Sequence, residues 1–310
     1  MTTNNIKILF FIALLVVPTL ACAERCGQEV FIKNQTGDLR FGAIQDPPKG
    51  SDYSVWFPIV PYALAFDSLG NIYVGDSVNY RVMKFNKEGK FLLKFKLQSP
   101  IRTKKPELSH EIRSIAIDKD DNVYVLNLLE YRVEIYSPSG KFLRKIDYFK
   151  EKLENLTTKP RIMMQPLLVN VDPKGNVYLV GIKDGNRSAS GAIYNEGGAI
   201  IKKGVALGDG YNPSEMVGAS PYTVDVAPYA PDKKKPGEYF TSVKVKDRTG
   251  SVVWACDGIE NLNFDEGGPA IETDRYGNLY SFDTDNNVIK ITANAKKHFP
   301  TSPMDADRPK

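Results

Sequence analysis

Apolar and polar residues alternate in short stretches along the chain, which is the pattern of half-buried β-strands. The stretches 62–66 and 113–117 each lead into a turn, and the stretches 72–74 and 123–125 leave it. The turns between them contain Asp, Gly and Asn, which form tight turns and tolerate positive φ. Each pair of stretches therefore predicts a β-hairpin.

The turn belongs to an internal repeat, Asp-x-x-Gly/Asp-Asn-aliphatic-Tyr, which begins at Asp67, Asp118, Asp172 and Asp274. The last gap is about twice the others, so a diverged copy is expected between them, with a longer loop at 227–236. A second predicted hairpin follows the first, because segment 80–92 aligns without a gap to segment 131–143. Four strands in a unit of about fifty residues is the size of a propeller blade.

The run from Pro61 through Gly70-Asn-Ile-Tyr73 to Gly89-Lys-Phe91 resembles the NHL repeat, and the resemblance spans roughly residues 55 to 295. It implies an all-β fold, a β-propeller of four-stranded blades over residues 24–299. Five units can be counted. The segment 30–39 looks like an outer hairpin that completes a sixth blade with C-terminal strands, which would remove exposed sheet edges. We therefore predict six blades, with five as the alternative, and a disordered tail at 300–310.

Residues 1–23 have the pattern of a secretory signal peptide. A polar start precedes an unbroken apolar run from Ile8 to Val17, which is too short to span a bilayer comfortably. Ala21-Cys22-Ala23 then supplies the small residues that a signal peptidase needs. The alternative is lipid attachment at Cys22, although Thr19 stands where a lipobox favours an aliphatic residue. We expect an exported protein, periplasmic or extracellular, that contacts a membrane only if Cys22 anchors it.

The cysteines and the net charge bear on disulfide formation and on the class of partner. Export favours oxidised cysteines, and either processing route leaves Cys26 and Cys256 as the natural disulfide pair, with two unrelated buried thiols as the alternative. The net charge of +4 and the short basic runs at 104–105 and 233–235 argue against a nucleic-acid partner.

The sequence gives little support for a catalytic centre. Only two histidines exist, His110 and His298, too few for the histidine sets of propeller lyases, so no metal and no cofactor are expected. The stretch 118–122 superficially resembles a calcium loop, but its alignment with three other turns favours a structural role.

Two equivalent Tyr-Arg pairs, Tyr80-Arg81 and Tyr131-Arg132, are the candidate binding residues, because phenol and guanidinium groups suit anionic or sugar ligands. The alternative is that they form contacts between blades. Irregular stretches at 181–190, 208–221 and 227–236 are the other candidate surface, and binding is expected there first.

These observations favour an exported, non-catalytic binding or scaffold protein that recognises a protein or a cell-envelope glycan. The alternative is a metal-dependent propeller hydrolase or lyase, similar to the lactonases. Three or more acidic, amide or histidine side chains converging at one mouth of the channel would favour the enzyme.

Overall fold

The computed structural model describes residues 27–34, 36–42, 61, 63–98, 112–128, 130–148, 165–183, 186–206, 221–229, 240–259, 271–283 and 285–292. Over these ranges the chain forms five antiparallel sheets, each of which is a blade. The first blade contains β2 (Ala63–Phe66), β3 (Ile72–Asp76), β4 (Arg81–Phe85) and β5 (Phe91–Lys96); the second contains β6 (Ile112–Ile117), β7 (Val123–Asn127), β8 (Arg132–Tyr136) and β9 (Phe142–Asp147). The third contains β10 (Gln165–Val171), β11 (Val177–Lys183), β12 (Asn186–Tyr194) and β13 (Ile200–Ala206), and the fourth contains β14 (Thr223–Tyr229), β15 (Phe240–Lys246) and β16 (Val252–Ile259). The fifth contains β17 (Glu272–Thr273), β18 (Leu279–Phe282), β19 (Val288–Thr292) and, as its outer strand, β1 (Gly27–Ile32).

The pairing of β1 with β19 joins the two ends of the described chain. Glu29 lies opposite Lys290 and Val30 lies opposite Ile289 in this antiparallel pair. The all-β propeller prediction is confirmed, and the five-bladed alternative is the one that the described residues match. Segment 30–39 does not form the outer hairpin of a sixth blade. Its first part is a single strand of the fifth blade, and a 3-10 turn follows at Gly37–Leu39.

Apolar side chains pack between neighbouring blades and hold them face to face. Ala65 and Tyr73 of the first blade share one buried cluster with Ile115 and Tyr136 of the second. Further clusters join the second blade to the third, the fourth to the fifth, and the fifth to the first. Burial of apolar area on this scale is the main stabilising contribution to such a fold.

Each repeated turn is built by its own aspartate. In the first blade, one carboxylate oxygen of Asp67 accepts the backbone N–H groups of Leu69 (3.0 Å) and Asn71 (2.8 Å), and the other accepts the side-chain amide of Asn71 (2.8 Å). The residue between Leu69 and Asn71 has a positive φ, which is 80° at Gly70 and 60° at its second-blade equivalent, Asp121. The prediction that the Asp side chains hold the turns is confirmed.

Several predictions lie outside the described residues. These are the signal peptide at 1–23, the tail at 300–310, His110, His298 and most of the long loops at 208–221 and 227–236. The stretch 181–190, predicted to be irregular, is instead part of the antiparallel pair β11–β12. The described part of the chain contains no helix that is long and apolar enough to cross a membrane.

Candidate functional site

A cavity of about 620 Å³ opens among the turns at one end of the first, second and fifth blades. Strands within a blade run antiparallel, so the turn between its first and second strands and the turn between its third and fourth strands lie at the same end. The cavity is lined by Phe66, Asp67, Ser68, Leu69, Gly70, Lys87, Ile117, Asp118, Lys119, Asp121, Pro221, Thr273, Asp274, Arg275, Tyr276, Asn278, Tyr280 and Lys290. The lining combines apolar and aromatic side chains with four carboxylates and four basic groups.

Four aspartates converge on this pocket, but hydrogen bonds within the rim occupy their oxygens. Asp118 and Asp274 accept the same set of turn N–H groups as Asp67, at 2.7 to 2.9 Å. The hydroxyls of Tyr124 and Tyr280 add a contact at 3.3 Å to each of these two carboxylates. The convergence that would favour an enzyme is thus present, while the individual carboxylates serve the turns.

Hydrogen bonds between turns hold the rim together. The Arg275 guanidinium donates to the backbone carbonyl of Ser68. Ser68 in turn donates its N–H (2.8 Å) and its hydroxyl (2.7 Å) to the carboxylate of Asp121. The turns of the fifth, first and second blades are therefore linked in series, which favours a preformed pocket.

Two lysines at equivalent positions behave differently. Lys84 lies opposite Tyr73 in the sheet register, and its ammonium is 3.0 Å from the Asp67 carboxylate. Lys290 lies opposite Tyr280 and lines the pocket, where its ammonium contacts the rings of Phe31 (5.8 Å) and Tyr280 (5.9 Å). Lys84 is thus neutralised inside the blade, whereas Lys290 faces the pocket against aromatic rings.

Exposed apolar side chains mark the rim of the pocket. Leu69 is 71% exposed and Tyr276 is 59% exposed, and both come from the same position of the repeated turn. The Arg275 guanidinium lies 5.9 Å from the centre of the Tyr276 ring. An exposed aromatic ring beside cations is a common feature of ligand-binding surfaces.

Glu272 is a titratable group close to this pocket. It begins β17, immediately before the lining residue Thr273, and its side chain is partly buried. Burial raises the pKa of Glu272 to about 7, which the hydrogen bond from the Thr273 backbone only partly offsets. A carboxyl group with such a pKa changes charge near neutral pH.

The first predicted Tyr-Arg pair lies at the opposite end of its blade, in the turn between β3 and β4. Arg81 is buried, and its Nε donates to the Asp76 carboxylate at 2.8 Å. Its two other nitrogens donate to the backbone carbonyls of Asp38 and Arg40 at 2.6 Å each. Arg81 therefore fastens the segment that follows β1 to the first blade. Tyr80 has a φ of 52°, which is strained for a residue with a side chain.

The second Tyr-Arg pair occupies the equivalent position in the second blade, but its arginine has a different acidic partner. Arg132 is buried, and its Nε donates to the Glu134 carboxylate at 2.8 Å, where Arg81 uses Asp76. Glu134 also accepts hydrogen bonds from the Tyr136 hydroxyl and from the Gln98 backbone N–H, at 2.9 Å for the latter. Burial and the Glu134 carboxylate both raise the pKa of Tyr136. Both arginines thus make ion pairs with carboxylates of their own blade. Tyr131 is 48% exposed and has a φ of 50°.

The cysteines and the metal ligands complete the survey of candidate chemistry. Cys256 is buried in β16, but Cys26 and Cys22 lie outside the described residues, so the disulfide and the lipid attachment stay predictions. Within the described ranges, no group of three or more His, Cys, Asp or Glu side chains is arranged to hold a metal ion.

The five blades and the pocket at their end define a β-propeller protein. No protein-family model matches the sequence, and no curated protein matches it. Similar solved structures include a candidate exported protein from Bacteroides fragilis, with 14% identity and a TM-score of 0.46 over 87% of this chain and 96% of that one. They also include streptogramin B lyase (12%, TM-score 0.39, 76% and 80%) and a gluconolactonase from Xanthomonas campestris (13%, TM-score 0.34, 77% and 76%). A shared fold does not imply a shared function.

Proposed function

We propose that this protein is an exported, NHL-type propeller that binds a protein or a cell-envelope glycan and has no catalytic centre of its own. The pocket among the turns of the first, second and fifth blades carries this proposal. Its rim is fixed by the hydrogen bonds between Arg275, Ser68 and Asp121, and pre-organisation of this kind reduces the entropy lost on binding.

The hydrogen bonds that the aspartate oxygens accept favour a binding function over acid–base or metal chemistry. A catalytic carboxylate must present an oxygen to the reacting atoms or to a metal ion. The oxygens of Asp67, Asp118 and Asp274 instead accept three turn N–H groups each. Removing these contacts would leave backbone donors without partners, so these carboxylates are committed to the turns.

The proposal places the mature protein in the periplasm or outside the cell, beginning at Glu24 after signal cleavage, or beginning at Cys22 if that cysteine carries a lipid anchor. It includes a disulfide between Cys26 and Cys256. It includes no nucleic-acid partner, in keeping with the low net charge of +4.

A binding measurement with rim variants tests the proposal. The mature protein is immobilised and exposed to purified envelope polysaccharides and to an array of defined glycans and peptides. Tyr276→Ala and Leu69→Ser are expected to weaken any specific binding, because both side chains are exposed at the rim. Leu143→Ser, at a position on β9 that is 47% exposed and lies outside the pocket, is the matched control. Binding that is specific but unchanged by both rim variants would contradict a role for this pocket.

One observation favours the alternative, a metal-dependent hydrolase or lyase. Glu272 has a pKa of about 7, which suits a general acid or base near neutral pH. Turnover of lactone and ester substrates with and without added calcium would test it. Activity that is lost in Glu272→Gln while the fold is retained would replace the binding proposal.

A further inference from the structure

The pocket is lined by equal numbers of acidic and basic side chains. Four aspartates and four basic side chains line it, and one of those aspartates, Asp67, is also paired with the buried Lys84. The charges of the lining residues therefore balance. The aspartate oxygens are further engaged by turn N–H groups, so the basic side chains are the groups left to meet a ligand.

Lys290 is the basic residue best placed to meet an anion. Lys119 lies 2.6 Å from the carboxylate of Asp120, and Lys87 lies 3.9 Å from that of Glu88. Arg275 donates to the Ser68 carbonyl. Glu29 lies opposite Lys290 in the β1–β19 pair, but the contacts of the Lys290 ammonium are with the faces of Phe31 and Tyr280, which attract it without neutralising it.

The size and the walls of the pocket indicate what carries the anion. A volume of about 620 Å³ holds a small molecule or a short oligomer and does not match a flat protein surface. Tyr276 and Leu69 present exposed apolar faces beside the cations. A sugar ring has apolar C–H faces and hydroxyl edges, so it complements an aromatic face flanked by polar groups.

We propose that the pocket binds a saccharide that bears a carboxylate or phosphate group, and that Lys290 receives this group. The inference rests on the binding function proposed above and selects the glycan among its ligands. Tyr276 stacks on the sugar ring; its backbone N–H donates to Asp274, and Lys290 is held in strand β19.

Isothermal titration calorimetry of the mature protein tests the inference with four probes: an oligouronate, the same oligosaccharide with its carboxyls reduced, a phosphorylated oligosaccharide, and inorganic phosphate. We expect one of the two anionic saccharides to bind. Which of them binds shows whether the ligand carries a carboxylate or a phosphate. Removing the charge from either partner should weaken binding about 10- to 100-fold, the usual effect of losing a charge-assisted hydrogen bond. Affinity should also fall as salt is raised.

Lys290→Met keeps the apolar stem of the side chain, and Lys141→Met removes an exposed charge outside the pocket. Loss of binding in the first variant and full binding in the second support the inference. Equal binding of the reduced oligosaccharide, equal binding of inorganic phosphate, or no binding of either anionic saccharide would overturn it. If the glycan array shows a specific ligand that Lys290→Met still binds normally, the inference fails while the binding function stands.

Discussion

The buried arginines at equivalent positions allow a sharp test of how the blades are stabilised. Arg81 in the first blade pairs with Asp76, whereas the residue equivalent to Asp76 in the second blade is Asn127 and the carboxylate comes from Glu134. The acidic partner has thus moved from one strand to the next, while the arginine has stayed.

Glu134→Met introduces the residue type that the first blade has at the equivalent position, Met83. It should leave the Arg132 charge buried without its partner. The lost contacts are the two at 2.8 Å from Arg132, those at 2.9 Å from Gln98 and 3.2 Å from Asn127, and the hydrogen bond from the Tyr136 hydroxyl. Breaking a buried ion pair by removing one side typically costs about 3–5 kcal/mol, so we expect roughly 4 kcal/mol. For a chain of this size that is a fall of roughly 8 °C in Tm.

Adding Asn127→Asp to that variant should restore about 2 kcal/mol or more, because the new carboxylate occupies the position that Asp76 uses against Arg81. In the wild-type background the same change places a second carboxylate beside Glu134 and should be destabilising. The effect of Asn127→Asp on the free energy of unfolding in urea therefore changes sign between the two backgrounds. The same sign in both, or a cost below about 1 kcal/mol for Glu134→Met, would refute this account.

Three further predictions concern the turns, the pH dependence and the cysteines. Asp172→Ala and Asp118→Ala should each destabilise the fold by about 1–3 kcal/mol in urea unfolding, because each removes an acceptor of three N–H groups; a loss of binding at Asp118 with no loss of stability would contradict the structural role. Burial raises the pKa of Glu272 from 4.5 to about 7. The contribution of this group to folding stability is therefore fully present below pH 4.5 and is lost as the pH rises through 7. Glu272→Gln should therefore be more stable than the wild type at pH 8 by about 1–3 kcal/mol and similar to it at pH 4, allowing for the partial exposure of the side chain; equal stability at both pH values would count against the shifted pKa. Cys26 and Cys256 should resist thiol labelling in the exported protein until a reductant is added, and labelling of either without reductant would exclude the disulfide.

The local structure was predictable because it depends on short-range chemistry. In the Asp67 turn and its equivalents, the aspartate at the first position accepts backbone N–H groups, and the fourth position has a positive φ. The gap-free alignment of segments 80–92 and 131–143 corresponds to β4 with the start of β5 and to β8 with the start of β9. Hairpins of this kind are determined within a few residues.

The features that depend on distant residues were predicted only in part. The segment that contains β1 was predicted to pair with C-terminal strands, and it pairs with β19, but it completes the fifth blade and not a sixth. The pocket was missed because its rim joins residues as far apart as Ser68 and Arg275, which are 207 positions apart. A signal existed: Leu69 and Tyr276 are apolar where the other two turns of this type carry Asp120 and Lys174. The role of Glu134 was missed because it is unusual only in comparison with Met83 of the first blade.

Elemental analysis of the exported protein, purified without chelators and assayed for bound divalent ions, tests the central claim most directly. If the aspartates at the pocket serve the turns and the pocket is a binding site, the mature protein holds far less than one divalent ion per chain and unfolds at the same temperature after treatment with a chelator. One calcium or zinc ion per chain, released by the chelator together with a fall in Tm, would contradict the account.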